Sequence, residues 1–587
     1  MRRAWLTVLV VVVVLALLAP SFAAPTQQQR RFTLPDIPNP KVDTHATGEG
    51  ARYGGVFVTS QISDPRTFNY IVAQETSSTV PLSLVFSGLV DQDFVTGEIE
   101  PDLAESWTLS PDRRTWTFRL RRGVKWHDGR PFTAADVDFT FKAIFTEGVQ
   151  TSYRDTLTYE GQPLRWRVVD EFTVQFITPK PVGIFLRQIG VPILPRHKLE
   201  AALARGGAEF NRTWSVATPP REIVGTGPFV MQRYTPGQRI EYVRWSGYYK
   251  VDQRGNRLPY LTRRVILIVP NLDAARLRFL AGETDIYAAR PREFAEFKAR
   301  EREGNYTIYD GPETFTSEFV ALNMNPRGIQ PPKVTWFQDV RFRRALNHAI
   351  DRNAIAQQVY AGRATPAWGP VSSGHPLYYN PRLAQYPYDI NRAQQLLAEA
   401  GYRREGTGPL RDPQGNTVAF VLATNSENTD RVAIGNIVRQ DWQRLGVQVT
   451  FAPEAFNSLV GKLVGSFNWD AIIIGLTGGI EPGTGRNVWL CSGSLHLWWP
   501  RQERCATPWE QEIDRLFEQI AEETDQARRR QLYFRWQELV AQNVPLMYFT
   551  YPKTQPAVRN TLGNIKIGLQ GAVSPSEILF YRAPVRR

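Results

Sequence analysis

Cysteine is almost missing from this 587-residue chain: Cys491 and Cys505 are the only two. That excludes a disulfide-dense scaffold and a zinc-finger array. Methionine is scarce at four residues, and lysine fills only 11 of the 70 basic positions, leaving 59 arginines. Beyond residue 23 no long apolar run occurs, which excludes a multi-span membrane chain. The 43 glycines and 42 prolines are dispersed without a three-residue period, so a collagen-like chain is excluded too. Neither a coiled-coil repeat nor an internal repeat is visible. Gly225-Thr226-Gly227 lacks the Gly-Lys-Ser/Thr ending of a phosphate loop. The formal charge of +13 comes from scattered cations with only short runs, such as Arg119, Arg121, Arg122 and Lys125. Without an RRM or zinc-finger pattern beside it, that charge makes no case for a nucleic-acid partner.

What is present points to a large folded protein. Apolar residues make up 42% and charged residues 22%, too apolar for disorder, and the length exceeds one hydrophobic core. Met1-Arg2-Arg3, an apolar run from Ala4 to Ala19, and Ser21-Phe22-Ala23 together read as a secretory signal peptide over 1–23, cut before Ala24. A retained anchor is the alternative, although ~20 apolar residues are normally needed to span a bilayer. Either way the body lies in the periplasm or on the outer face of the cytoplasmic membrane. Residues 24–50 are rich in Pro, Gln, Asp, Thr and Gly and read as a flexible lead. In an oxidising compartment Cys491 and Cys505 can pair, and closing a loop of that length contributes ~3 kcal/mol. Two buried thiols are the alternative. A metal site lacks ligands, since His496 supplies only a third.

The mature chain alternates helical and strand patterns. Residues 55–59, 116–120 and 171–176 read as strands, and Thr133 with Asp136 caps a helix that carries Val137, Phe141, Ile144 and Phe145. Phe342, Ala345, Leu346, Ala349 and Ile350 share one helical face. Asp351 caps the next helix, which Gly362 can end. Strands over 418–424, 447–451 and 470–476 alternate with helices over 430–445 and 455–465, predicting an α/β lobe with a largely parallel sheet. His127-Asp128 could serve as a base with its orienting acid, but no nucleophile accompanies it, so a structural role is the reading adopted.

Several phrases in order resemble the dipeptide-, oligopeptide- and nickel-binding family of extracellular solute-binding proteins of ABC importers. They are Glu100-Pro101-Asp102-Leu103-Ala104-Glu105-Ser106-Trp107, Phe118 to Gly129 and Pro131 to Val137, followed by Gly225-Thr226-Gly227-Pro228-Phe229 with Tyr248-Tyr249. Leu322-Asn323-Met324-Asn325, Asp339 to Leu346, and Tyr388-Asp389 with Ala400-Gly401-Tyr402 complete the series. The resemblance covers about residues 53–552 and implies an α/β venus-flytrap fold of two lobes joined by two crossovers. By its phrases, lobe I spans 51–317 with an inserted subdomain at about 85–215 and resumes at 549–587; lobe II spans 318–548. It also implies a monomer without cofactor or catalytic residue, partnered by membrane permease subunits.

Peptide-binding relatives often place a Trp after the strand glycine and, a few residues on, an Asp that holds the peptide ammonium. The matching positions here are Leu476 and Gly479, and glycine offers no acceptor for an ammonium. Glu481 could substitute from a shifted position or simply belong to a turn with Pro482. Asn487, Trp489, Trp498 and Trp499 around the cysteines are candidate ligand contacts, because indole faces stack on sugar rings and amides bond hydroxyls. A small satellite core is their alternative role. Trp368, Gln61 and Asn425 are further candidates by placement. An oligosaccharide or other elongated neutral solute is therefore the expected ligand. The alternatives are an oligopeptide with an unusual anchor, a nickel chelate, and an exported glycoside hydrolase.

Overall fold

A computed structural model of the chain describes residues 37–583. The expected signal peptide over 1–23 and the lead up to residue 36 lie outside the described residues. Thr133 and Asp136 form the reciprocal cap of helix Ala134–Phe145 that their spacing predicts. Asp136 also accepts from Trp126 Nε1 at 3.3 Å and from the Arg196 amide at 3.0 Å. One carboxylate thus fastens a turn and the starts of two helices. The helix buries Val137, Phe141 and Ile144 against an antiparallel sheet ordered Ala104–Leu109, Thr115–Leu120, Thr173–Ile177, Arg165–Asp170. These elements fall within the 85–215 span expected of the inserted subdomain.

The rest of the first lobe is built on two sheets. One is ordered Phe229–Thr235, Arg239–Arg244, Arg263–Ile268, Val56–Gln61. The other places the late strand Gln555–Arg559 between Ile286–Ala289 and Tyr306–Ile308. The second lobe holds a five-stranded sheet ordered Gln448–Glu454, Ala419–Asn425, Ala471–Leu476, Ser317–Leu322, Leu546–Tyr548. Its first three strands are parallel, but the last two pairings are antiparallel. The three strands that suggested a largely parallel sheet are parallel, and Ser317–Leu322 alone runs against the other four. Ser317–Leu322 brings the chain into this lobe and Leu546–Tyr548 takes it out, so their directions must oppose.

The two passages between lobes lie side by side. The amide of Tyr309 donates to Pro556 O at 3.0 Å, Gly311 to Thr554 O at 2.9 Å and Thr314 to Pro552 O at 2.9 Å. Separate clusters of buried apolar side chains flank them, one drawn almost wholly from 37–266 and 558–581, the other from 319–551. In the second, the predicted stripe Phe342, Ala345, Leu346, Ala349 and Ile350 is fully buried. Asp351 caps Arg352–Gln358 as expected, and Gly362 follows with φ of 75°.

Arginines tie the second lobe together from inside. Arg343 donates to the carbonyls of Phe337, Gln338 and Asn543, each at 2.8 Å. Arg352 reaches those of Tyr548 at 2.8 Å and Ala367 at 3.1 Å. Both side chains are buried, so helix-end and loop carbonyls that water cannot reach find donors. Among the described residues no helix is long and apolar enough to cross a membrane.

Two expectations meet their outcome in the first lobe. From residue 37 the lead is not loose: Lys41–Val42 pairs in parallel with Lys250–Val251. Buried Asp102 lies 3.8 Å from the Lys41 ammonium and 3.5 Å from that of Lys250, and accepts from Tyr249 Oη at 2.6 Å. Polar composition concealed this anchorage, because the segment is held by charge rather than by an apolar stripe. His127 proves structural. Its Nδ1 accepts from the Gly225 amide at 3.2 Å, Nε2 lies 3.0 Å from Gly227 O, and Asp128 pairs with His197 instead. A Cβ at Gly225 would lie 1.8 Å from Val85 O, so this loop requires glycine.

Asp102→Ala removes the buried carboxylate that Lys41, Lys250 and Tyr249 share, leaving Glu100 to answer Lys41 and Asp91 to answer Lys250, and is expected to cost about 1–3 kcal/mol, read as a lower urea midpoint. Burial pushes the His127 pKa down to about 4. The unfolded chain therefore takes up its proton first as pH falls, and stability is lost from about pH 6.5 towards 4. Denaturation across that window should show a shallower decline in His127→Asn than in the native sequence.

Candidate functional site

Between the lobes lies a cavity of about 660 Å³, within the range of about 300–1,000 Å³ usual for small-molecule sites. The first lobe contributes Gln74, Glu75, Thr76 and Thr79 at the start of helix Thr76–Leu82. Phe315, Thr316 and Ser317 form its floor where the outgoing crossover enters the second lobe. The opposite wall is the end of strand Ala471–Leu476 and the segment that follows it, with Phe456 and Val460 from a neighbouring helix. Cavities between lobes of an α/β protein form at strand ends because loops there leave the sheet and splay apart.

Two seams close the cleft. On one side Arg292 pairs with Asp430 at 2.6 Å and the Leu272 amide donates to Glu427 O at 3.2 Å. Burial pushes the Asp430 carboxyl up to about 6, against the pull of Arg292 and Arg290. On the other side Lys180 bonds Glu522 and lies 3.8 Å from Glu518, while the Gly183 amide donates to Ala521 O at 2.7 Å. A Cβ at Gly183 would come within 2.4 Å of Glu523 O, so only glycine permits this approach.

Of the sequence-predicted contacts, Leu476, Gly479, Glu481, Asn487 and Trp489 line the cavity. Trp489 stands edge-on to Trp536, another wall residue, with ring centroids 4.8 Å apart. Glu481 is a buried wall residue whose carboxylate is already engaged. It accepts from Tyr533 Oη and from Tyr378 Oη, the latter at 3.3 Å, and lies 3.6 Å from Arg529. A Cβ at Gly479 would meet nothing nearer than 4.0 Å, so space does not explain why no acid stands there.

The other five do not line the cavity. Trp498 is fully buried, its Nε1 donating to Glu510 Oε1 at 3.0 Å, and Trp499 packs on the second lobe's core. For these two the satellite-core role is the one observed. Trp368 stacks under the Arg352 guanidinium at 4.7 Å, beside a separate cavity too small for a solute. Gln61 donates from Nε2 to Ser63 O at 2.7 Å and Ser77 O at 3.2 Å, bracing the helix that forms the first-lobe wall. Asn425 is buried and accepts from Arg431 Nη1 at 2.9 Å. Cys491 and Cys505 form the disulfide.

Sequence reasoning missed Glu75, His375 and Arg431, all in the wall. None sits in a recognisable motif, and each reaches the cavity only through the tertiary fold. His375 Nδ1 accepts from the amides of Leu377 and Tyr378, both at 3.2 Å, and burial pushes its pKa down to about 4. It is neutral at pH 7. Arg431 is paired with Glu318 at 2.9 Å. Glu75 accepts from Ser78 Oγ and from the Gln74 amide at 3.2 Å, with Arg66 at 3.9 Å. By contrast Gln74, Thr76, Thr316, Thr477 and Asn487 reach the cavity with side chains that make no hydrogen bond within the described protein. The groups left for a ligand are thus amides, hydroxyls, the unpartnered Nε2 of His375 and apolar faces.

Comparison with known proteins agrees with this architecture. Residues 98–494 match the family described as bacterial extracellular solute-binding proteins, family 5. A probable ABC transporter-binding protein of Deinococcus radiodurans is 31% identical over 519 residues, 84% of this chain and 86% of that protein. The oligopeptide-binding protein AppA of Bacillus subtilis is 24% identical, covering 87% of this chain and 89% of its own length. AppA's structure with a nonapeptide superposes with a TM-score of 0.77 at 23% identity, over 90% of this chain and 99% of that one. The periplasmic binding protein MelB of Agrobacterium fabrum, solved with stachyose, gives 0.79 at 21% identity, over 91% and 86%. With a two-lobed α/β fold, a cavity between the lobes and a family match over most of its length, this chain belongs to the bacterial extracellular solute-binding proteins of family 5.

Proposed function

We propose that the solute captured by this component of an ABC importer is uncharged and elongated, an oligosaccharide before any other class. One observation carries the reading: the charged side chains at the cavity are engaged by other protein groups, whereas the unengaged polar groups are amides, hydroxyls and the neutral imidazole nitrogen of His375. A solute entering a site that excludes water loses its hydration, and a charged solute would need an opposite charge free to receive it. A neutral one needs hydrogen-bonding groups spread along an apolar wall. Gln74, Thr477 and Asn487 with Trp489 supply that combination. The functional setting is a monomer outside the cytoplasmic membrane that hands its solute to permease subunits, with lobe I taken as 51–317 and 549–587 and lobe II as 318–548.

A second reading, an oligopeptide, is favoured by one residue. Glu75 is the cavity carboxylate with the weakest cationic partner, Arg66 at 3.9 Å, and could receive a peptide ammonium from the first lobe. The glycoside hydrolase alternative gains nothing, since the carboxylates of Glu75 and Glu481 are tied to hydroxyls of the protein.

Native mass spectrometry of gently purified protein identifies retained cargo. Thermal-shift titration with neutral oligosaccharides and with peptides then ranks the classes, because a ligand of the folded state stabilises by about 2.7 kcal/mol at a hundred times its Kd. Oligosaccharides are expected to raise Tm, and Asn487→Ala to weaken their binding about tenfold while leaving the unliganded Tm in place. If peptides alone raise Tm, and Glu75→Gln abolishes that shift, the oligosaccharide reading is wrong.

A further inference from the structure

The segment after strand Ala471–Leu476 has two working faces. Asn487, Val488, Trp489, Leu495 and Leu497 look into the cavity. Arg486 and Ser494, interleaved with them, are turned to the first lobe. The Ser494 amide donates to Asp155 Oδ2 at 3.0 Å. Arg486 is 1% exposed and its guanidinium divides between lobes. At home it pairs with Glu518 and donates to Phe517 O at 3.1 Å. Across the cleft it donates to Thr158 O at 2.8 Å and Asp155 O at 3.4 Å, above the Tyr159 ring at 5.6 Å. The Cys491–Cys505 disulfide closes the loop containing Ser494, and the Cys491 amide is held by Asp514 Oδ1 at 2.9 Å.

We infer that Arg486 is the positioning residue that latches the closed cleft, joining the wall that touches solute to the inserted subdomain of the first lobe. The inference rests on the reading that the lobes part and close around a solute. When they part, Glu518 still balances the Arg486 charge while water serves its remaining donors. Closing strips that water away, and the Thr158 carbonyl replaces it only if helix Tyr153–Thr156 and the following turn arrive in register. The site therefore rewards one closed arrangement and penalises near misses. A cavity contact that steadies Asn487 or Trp489 steadies the adjoining Arg486, so occupancy and closure are coupled through one short stretch of backbone.

Amide hydrogen exchange on the full mature protein without ligand tests this. Away from the crossovers, three amides donate between lobes: Ser494 to Asp155, Gly183 to Ala521, and Leu272 to Glu427 on the far seam. In Arg486→Gln all three are expected to exchange at least about tenfold faster, while strand Ala471–Leu476 keeps its protection. A purely local role would loosen 486–495 alone; Gly183 and Leu272 protected as in the native sequence would overturn the inference. So would a native protein in which none of the three is protected. Should Arg486→Gln fail to fold, Arg486→Lys, which keeps a positive charge beside Glu518 but not the fork that reaches the Thr158 carbonyl as well, must speed Gly183 as well as Ser494; an unchanged Gly183 overturns the inference. Because no solute enters the assay, failure to find a ligand counts against the transport reading and leaves this result standing.

Discussion

The organisation of this molecule depends on the chain crossing between its halves only as a pair of hydrogen-bonded strands. Tyr309 to Thr314 runs out and Pro552 to Pro556 runs back, and with no third covalent passage the lobes can hinge about that ribbon. Each lobe must then satisfy its own interior, which is why the buried side chains fall into separate clusters. The mixed direction of the second sheet is another result of the same constraint. The cavity exists because everything else between the lobes is a seam of side chains and loop backbone, separable without unfolding either half.

Charge at that cavity is arranged to be spent internally. Arg431 answers Glu318, and Arg529 faces Glu481 with two tyrosine hydroxyls helping. These pairs fix the wall's geometry and leave little unbalanced charge pointing inward. An acid at position 479 would have had room, so selectivity here depends on which chemical groups are supplied rather than on crowding.

Much of the fold was legible because it is written in local rules. The Thr133–Asp136 cap, the Phe342 to Ile350 stripe and the strand–helix alternation after residue 418 follow from hydrogen-bond geometry and periodicity. The site was half legible. Leu476 and Gly479 could be found by their match to ligand-holding positions in peptide-binding relatives, and Asn487 and Trp489 by their chemistry, but nothing in sequence separates Trp489 at the wall from Trp498 in the core nine residues later. Both are indoles in the same loop, and both meet helix Pro508–Glu522, Trp498 at Glu510 and Trp489 at Phe517. Glu75, His375 and Arg431 come from three distant stretches and meet only in the folded molecule. The lead after residue 36 misled for a related reason, since its ties are two lysines sharing a carboxylate.

The interior arginines bear on how this protein looks from outside. Arg343 and Arg352 are spent on backbone carbonyls deep in the second lobe, and Arg486 is almost wholly enclosed. A guanidinium can bridge several carbonyls at once in a way an ammonium cannot, so a lysine in these places would leave oxygens dry and unanswered. Cations used as interior struts still count in the net charge that solvent feels. What burial removes is their fork, so none of these three is available to pair directly with a membrane phosphate or an approaching solute.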